Sequence, residues 1–154
     1  MAVQFLVGAI VSVINIMIHA LVTVGAAGIA RRAGLRHTKR PRLHLMAVMA
    51  ATAATLMVAH TLEMLVWTLA YLIVGAVPGG SELLYFAFVN YTTLGYGDIT
   101  PVPAWRLLGP MTAMNGILLF GWSTAVLFEV LRKTVEHLAL IAPPGSAFSS
   151  GDPG

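Results

Sequence analysis

The string Thr92-Thr93-Leu94-Gly95-Tyr96-Gly97-Asp98 carries the clearest chemistry in the chain. A desolvated K⁺ ion needs its water shell replaced by closely spaced oxygens, and a backbone supplies several only when consecutive carbonyls point the same way. Gly95 and Gly97 accept the left-handed dihedrals that bring alternate carbonyls to one side, a conformation unfavourable for residues with a Cβ. Thr93 adds a side-chain oxygen. The string therefore predicts a row of oxygens that replaces the water shell of K⁺.

Composition indicates where such a string would lie. Of the 154 residues, 58% are hydrophobic and only 10% are charged, and the mean hydropathy is +0.84. These values exclude a soluble globular domain and a disordered chain. The chain has no cysteine, which excludes disulfides, Cys-ligated zinc, iron–sulfur clusters and thiol catalysis. An integral membrane protein remains.

Three segments are nearly free of charged side chains and are long enough to cross a bilayer, for which about 20 apolar helical residues suffice. We predict an extra N-terminal transmembrane helix at 1–30, an outer helix at 43–77 and an inner helix at 105–132, within a pore domain of residues 43–132. The cations follow the first segment rather than precede it, which favours a retained helix over a cleaved signal peptide.

The positive charges predict an orientation. Six of the nine Lys and Arg residues fall in a basic loop at 31–42, and two more are Arg132 and Lys133. The positive-inside rule then puts the N-terminus outside, and the C-terminus, with a short tail at 133–154, in the cytoplasm of a multi-pass plasma-membrane protein. The loop also suits binding to anionic lipid headgroups, although setting the orientation explains its charge equally well.

A short helix is predicted at 82–92, before the filter string. Pro78, Gly79 and Gly80 end the outer helix, and Ser81 can cap the next one. About eleven residues cannot cross the membrane, so we expect a re-entrant helix surrounded by protein. Its C-terminal carbonyls would point toward the membrane centre and favour a cation.

From about residue 43 to 131 the chain resembles the pore-loop potassium channel superfamily, in which an outer helix, a pore helix, a T-V-G-Y-G filter and an inner helix repeat around a fourfold axis. The resemblance implies an all-α membrane protein with three transmembrane helices, a re-entrant pore helix and a selectivity filter, assembled as a homotetramer that conducts K⁺ passively. By this resemblance the ion is bound by the filter residues Thr93, Leu94, Gly95, Tyr96 and Gly97, with sites at the carbonyls of the first four and the Thr93 hydroxyl.

The filter region departs from the family pattern at three positions. Leu94 replaces the usual Val, which leaves the carbonyl intact but puts conduction and inactivation rates in question. Val89 stands where many members have a glutamate that pairs with the filter aspartate. Tyr85, where Trp is common, could donate a hydrogen bond to Asp98 instead, and Thr92 completes the predicted filter support.

The inner helix contains two glycines, Gly116 and Gly121, in a stretch that resembles the bending region of family channels. They are gating hinge candidates, and the alternative is that small residues permit close helix packing. Glu129 would fall near the cytoplasmic pore mouth, where four copies could concentrate cations. The alternative is an i,i+4 pair with Lys133.

An intramembrane polar cluster is predicted from residue depth. His60 and Glu63 lie one turn apart in the second span, and Asn115 in the third falls at a similar depth, as does Asn15 or His19 in the first. Ionisable groups in a membrane are functional candidates because their burial is unfavourable. Two interpretations of this cluster are open. It is either a set of hydrogen bonds that docks the first helix or a proton sensor.

The leading hypothesis is thus a K⁺-selective channel, not an enzyme, whose partners are K⁺, membrane lipids and further copies of itself. No nucleic acid and no cofactor other than the permeant ion is expected. The rivals are a non-conducting or regulatory subunit that needs a partner chain, a potassium transporter, and an intramembrane enzyme with His60 and Glu63 as base or metal pair and Ser123 or Thr124 as nucleophile.

Overall fold

The computed structural model describes residues 1–34, 40–78 and 82–141. Residues 35–39 of the predicted basic loop, the helix cap at Ser81, the glycines at 79 and 80, and the tail beyond 141 lie outside these residues. The positions expected to form the filter, the glycine pair and the polar cluster all lie within them.

Four α-helices make up the structure: α1 (Ala2–Gly34), α2 (Pro41–Val74), α3 (Leu83–Tyr91) and α4 (Leu108–Ile141). A single 3₁₀ turn at Pro103–Trp105 precedes α4, and the described residues contain no strand. Helices over Ala2–Gly28, Pro41–Val74 and Pro103–Leu140 are long and apolar enough to cross a membrane. The predicted all-α membrane fold with three membrane-length helices is confirmed.

The helix ends differ from the sequence-based bounds. α1 runs past residue 30 to Gly34, and α2 starts with Pro41 in its first turn, where the missing amide hydrogen has no helical partner to lose. α2 ends at Val74 rather than 77, because Gly75 takes a left-handed cap (φ 63°) whose amide donates to the Leu72 carbonyl.

α4 continues beyond the predicted end at residue 132 and reaches Ile141. Arg132 bridges Glu129 at 2.9 Å and Glu136 at 2.8 Å along the helix surface. Such pairs stabilise an exposed helical turn, so the first residues of the predicted cytoplasmic tail are helical.

Two long-range hydrogen bonds tie together helix ends at one side of the molecule. The Leu107 amide, just before α4, donates to the Gln4 side-chain oxygen of α1 at 3.1 Å. The Val102 amide donates to the Ala76 carbonyl after α2 at 2.9 Å. The start of α1, the end of α2 and the start of α4 therefore lie on the same side, and α1 runs parallel to α4.

The apolar core forms where α3 is inserted beside α2 and α4. Trp67, Tyr71, Tyr91 and Leu108 are completely buried, and Phe86 is nearly so. The ring centroids of Tyr71 and Phe86 lie 4.9 Å apart. The short helix is thus held by aromatic side chains of its own chain, as a helix too short to span a membrane requires.

Candidate functional site

The segment after α3 has a left-handed backbone at every second residue. The φ angles are 62° at Thr93, 58° at Gly95 and 75° at Gly97. The glycines adopt this conformation without strain, whereas a residue with a Cβ is disfavoured by about 1–2 kcal/mol. The two glycines are the positions at which the sequence predicts this conformation, and Thr93, which it does not predict, continues the same two-residue alternation.

The inner end of this segment is anchored on the last turn of α3. The Leu94 and Gly95 amides both donate to the Val89 carbonyl, at 2.9 and 3.3 Å, and the Thr93 amide donates to the Asn90 carbonyl at 2.9 Å. The Thr92 hydroxyl donates to the Phe88 carbonyl at 2.7 Å. The position of the filter backbone is therefore set by a helix that the core holds firmly.

At the outer end of the segment, the Tyr85 hydroxyl donates to Asp98 Oδ2 at 2.6 Å. The Ile99 amide donates to Asp98 Oδ1 at 3.0 Å. The tyrosine hydrogen bond holds the pKa of Asp98 below its usual value. The same bond raises the pKa of Tyr85 to about 12, so both groups keep their bonding protonation states through the neutral range.

We expect Tyr85→Phe to make ion flux more sensitive to external acid. Loss of the donor lets the Asp98 pKa rise toward its ordinary value, so protonation of the outer mouth begins at a higher pH. The measurement is flux through liposomes as external pH is lowered, with Asp98→Asn, which has no carboxyl to titrate, as the control. An unchanged acid response and unchanged inactivation in Tyr85→Phe would show that the bond has no influence on the filter.

The side chains of the segment face outward from the single chain. Leu94 is 54% exposed and Tyr96 is 67% exposed, and Leu84 and Phe88 of α3 are also exposed. One open concave surface is bordered by Leu84, Phe88 and Leu94 together with Tyr85 and Asp98. A contiguous apolar surface of this kind marks an interaction site with protein or lipid.

The two glycines of α4 have different surroundings. A Cβ on Gly116 would lie 2.0 Å from the Tyr91 carbonyl oxygen and 3.0 Å from its carbon, whereas a Cβ on Gly121 would meet nothing within 4 Å. Gly116 therefore permits the close approach of α4 to the end of α3, the packing alternative considered above. A hinge role is not required to explain Gly116.

A closed ring of four hydrogen bonds joins α1, α2 and α4 within the membrane-spanning part. Two bonds end on the Glu63 carboxylate, from His19 Nδ1 at 2.8 Å and from His60 Nδ1 at 3.1 Å. The other two join the Ser123 hydroxyl to His60 Nε2 at 2.9 Å and to His19 Nε2 at 3.3 Å. We call these four residues the buried ring.

Tyr91, the last residue of α3, is attached to the buried ring. Its hydroxyl donates to Glu63 Oε2, and its oxygen lies 2.9 Å from His60 Nδ1. His19, Glu63 and Tyr91 are completely inaccessible to solvent, and His60 and Ser123 are 5% and 7% exposed. The ring is therefore dry and touches the helix that positions the filter.

A second group of polar side chains lies beside the buried ring. Asn115 Oδ1 accepts hydrogen bonds from Asn15 Nδ2 and Trp67 Nε1, both at 3.0 Å. Asn15 Nδ2 also lies 3.2 Å from the Glu63 carbonyl oxygen. The structure thus brings together His60, Glu63 and Asn115 with both first-helix candidates, Asn15 and His19. Sequence reasoning missed Tyr91 and Trp67, since a core aromatic gives no sign that its polar atom reaches a cluster.

Two other kinds of site, a metal site and a hydrolytic site, use the residue types of the buried ring. The ligand atoms of His19, His60 and Glu63 lie within 4.8 Å of one another, a spacing that suits a metal ion. The order Ser123, His60, Glu63 also matches the hydrogen-bond sequence of a hydrolytic triad. However, the Ser123 hydroxyl is buried and is hydrogen-bonded to both histidines. A substrate therefore cannot reach it, as attack by a nucleophile requires.

Glu129 forms ion pairs on its own helix. Its carboxylate lies 2.9 Å from Arg132 Nη2 and 2.9 Å from Lys133 Nζ. The pair with Lys133 is the alternative that the sequence offered to a ring of carboxylates at the pore mouth, and the pair with Arg132 adds to it. All three side chains are about half exposed, so each pair contributes little to stability.

One comparison with known proteins identifies the family. A family model described as "Ion channel" matches residues 45–133, which is more than half of the chain and includes α2, α3, the filter string and most of α4. The chain belongs to this ion channel family, the two-helix pore type of the pore-loop superfamily, and it is a multi-pass membrane protein. No curated protein sequence and no solved structure is significantly similar to the chain.

Proposed function

We propose that the protein is a K⁺-selective channel that conducts passively through a filter formed by the string at 92–98. The observation that carries this proposal is the left-handed backbone at Thr93, Gly95 and Gly97 in a segment held on the end of a re-entrant helix. Alternation of this kind is what directs successive carbonyls toward one axis, where they replace the hydration shell of K⁺.

A homotetramer is the assembly that this function requires. One chain supplies one filter strand, and a cage of carbonyls around an ion needs a closed ring of such strands. The exposure of Leu94, Tyr96 and the neighbouring face of α3 supports this proposal. These apolar side chains would be covered by the next copy around a fourfold axis.

We further propose that the N-terminus lies outside and the C-terminus in the cytoplasm of a plasma membrane. The parallel arrangement of α1 and α4 agrees with this, since both would then start at the outer surface. The basic residues near 31–42 would lie at the inner surface, where anionic lipid headgroups attract them. K⁺ is the only ligand that the proposal requires.

Ion flux through purified protein in liposomes tests the proposal. Opposing K⁺ and Na⁺ gradients would be imposed, with barium as the blocker and protein-free liposomes as the control. We expect barium-sensitive flux that follows the K⁺ gradient and discriminates strongly against Na⁺. Flux that follows both gradients equally would contradict selectivity. Glu and His titrate between about pH 4 and 8. Absence of flux at every inner pH in this range would favour a subunit that needs a partner chain.

A further inference from the structure

The hydrogen count of the buried ring is the starting point. Each of its four bonds needs one hydrogen. A neutral His19 and a neutral His60 bring one ring hydrogen each, the Ser123 hydroxyl brings one, and an ionised Glu63 brings none. Three hydrogens cannot fill four bonds, so one position in the ring is unfilled unless a further proton is bound.

The position that lacks a hydrogen can be identified. With neutral imidazoles, both Nδ1 atoms must carry their hydrogens to reach the Glu63 carboxylate. Both Nε2 atoms are then acceptors, and they face the single Ser123 hydroxyl at 2.9 and 3.3 Å. One of the two nitrogens is left buried without a donor, which is unfavourable in a dry site.

The net charge gives a second, independent reason. With neutral histidines the ring carries the full negative charge of Glu63, which is completely buried. The hydrogen bonds from His19, His60 and Tyr91 stabilise the carboxylate, but with neutral donors its charge stays uncompensated, which is unfavourable within a membrane. One added proton fills the fourth bond and brings the net charge of the ring to zero.

We propose that His19, His60, Glu63 and Ser123 form a binding site for a single proton, which the closed ring shares. The titratable groups that face it are His19 from α1, His60 and Glu63 from α2, and Tyr91 from α3. α4 contributes the Ser123 hydroxyl and two uncharged aromatic rings, those of Phe120 and Trp122. The bound proton completes the attachment of α4 to the histidines of α1 and α2, because the bond that fails without it ends on Ser123.

The substitution Glu63→Gln gives this proposal a sharp test. The amide of glutamine brings the hydrogen that the carboxylate lacks. It can donate to His19 Nδ1 and accept from His60 Nδ1, while His19 Nε2 donates to Ser123 and Ser123 donates to His60 Nε2. All four bonds are then filled without an added proton, and the ring is neutral at every pH at which imidazole is neutral.

The experiment measures the thermal unfolding midpoint of the full chain in lipid nanodiscs between about pH 5 and 9, which brackets the usual titration of imidazole. The folded wild type holds one proton more than folded Glu63→Gln, while the unfolded chains expose the same two imidazoles. The stability of the wild type relative to that variant therefore falls as pH rises, until the ring loses its proton. We expect a decrease of about 2–4 °C, as for loss of one hydrogen bond in a chain of this size.

Two variants complete the design. Glu63→Gln should lose this decrease and be at least as stable as the wild type at pH 9. Ser123→Ala removes the partner of both Nε2 atoms but leaves the buried charge of Glu63, so its midpoint should be lower than that of the wild type and its decrease with pH smaller. Since the differences are taken against the wild type, contributions from groups outside the ring, which all three proteins share, cancel.

Three results would overturn the proposal. The first is a wild-type profile that is parallel to that of Glu63→Gln, which would make the ring a packing element only. The second is a loss of stability in Glu63→Gln at every pH, which would show that the carboxylate is needed as such. The third is about one equivalent of zinc in the purified protein with a midpoint lowered by chelator at all pH values, which would make the cluster a metal site. None of these readouts depends on ion flux, so they are independent of the proposed function.

Discussion

Replacing Gly95 by alanine is expected to abolish barium-sensitive K⁺ flux. Gly95 has a φ of 58°, and an alanine there is disfavoured by about 1–2 kcal/mol in each chain. A return to negative φ would rotate the carbonyls on either side of position 95 away from the axis they share. Since the proposed tetramer repeats the change four times, we expect flux to fall to the level of protein-free liposomes.

Gly75→Ala is the matched control for Gly95→Ala. Gly75 has a φ of 63°, and a Cβ at either glycine would meet no atom closer than 4.0 Å. The two substitutions therefore introduce the same backbone strain, one in the filter string and the other at the end of α2. We expect Gly75→Ala to be less stable but to conduct. Equal loss of flux in both variants would attribute the effect to general strain rather than to the filter.

Gly116→Ala should prevent correct packing of the pore region. The new Cβ would lie 2.0 Å from the Tyr91 carbonyl oxygen, and a backbone atom cannot rotate away as a side chain can. Relief requires α4 to separate from the end of α3, where the filter segment is anchored. Overpacking of this kind costs about 1–3 kcal/mol in a well-packed core, and we expect a lower unfolding midpoint together with loss of flux.

The variant Gly121→Ala distinguishes a packing role for the glycines of α4 from a role in backbone flexibility. It lies on the same helix, and its Cβ would meet nothing within 4 Å. The alanine should keep flux and even stabilise α4, since glycine inside a helix is about 1 kcal/mol less favourable than alanine. Loss of conduction in Gly121→Ala with an unchanged midpoint would instead identify a flexible point at Gly121 that opening requires. Similar midpoints for both variants would contradict the packing role of Gly116.

Much of the architecture could be predicted because it depends on local properties of the chain. Three spans follow from hydropathy, and the re-entrant helix follows from a length too short for a bilayer. The left-handed positions at Gly95 and Gly97 follow from the lack of a Cβ. Counting residues from the membrane surface was enough to place His60, Glu63 and Asn115 at one depth.

The remaining features depend on distances between helices, which the chain order does not reveal. Whether His19 or Asn15 joins the polar residues is decided by the rotation of α1 about its axis, and both do because the two lie four residues apart on one face. Ser123 was considered only as a weak nucleophile, since nothing local shows that two imidazoles approach it. The role of Gly116 depends in the same way on one contact with a carbonyl more than twenty residues earlier.

The two attachments of α1 to the inner helix have a mechanical consequence. Gln4 holds the amide just before α4, and His19 lies against Ser123 about halfway along it. Because α1 runs parallel to α4 and is attached to it at two points, the stretch of α4 between those points cannot move independently of α1. In the proposed channel, widening of the cytoplasmic mouth would then come from the part of α4 beyond Ser123.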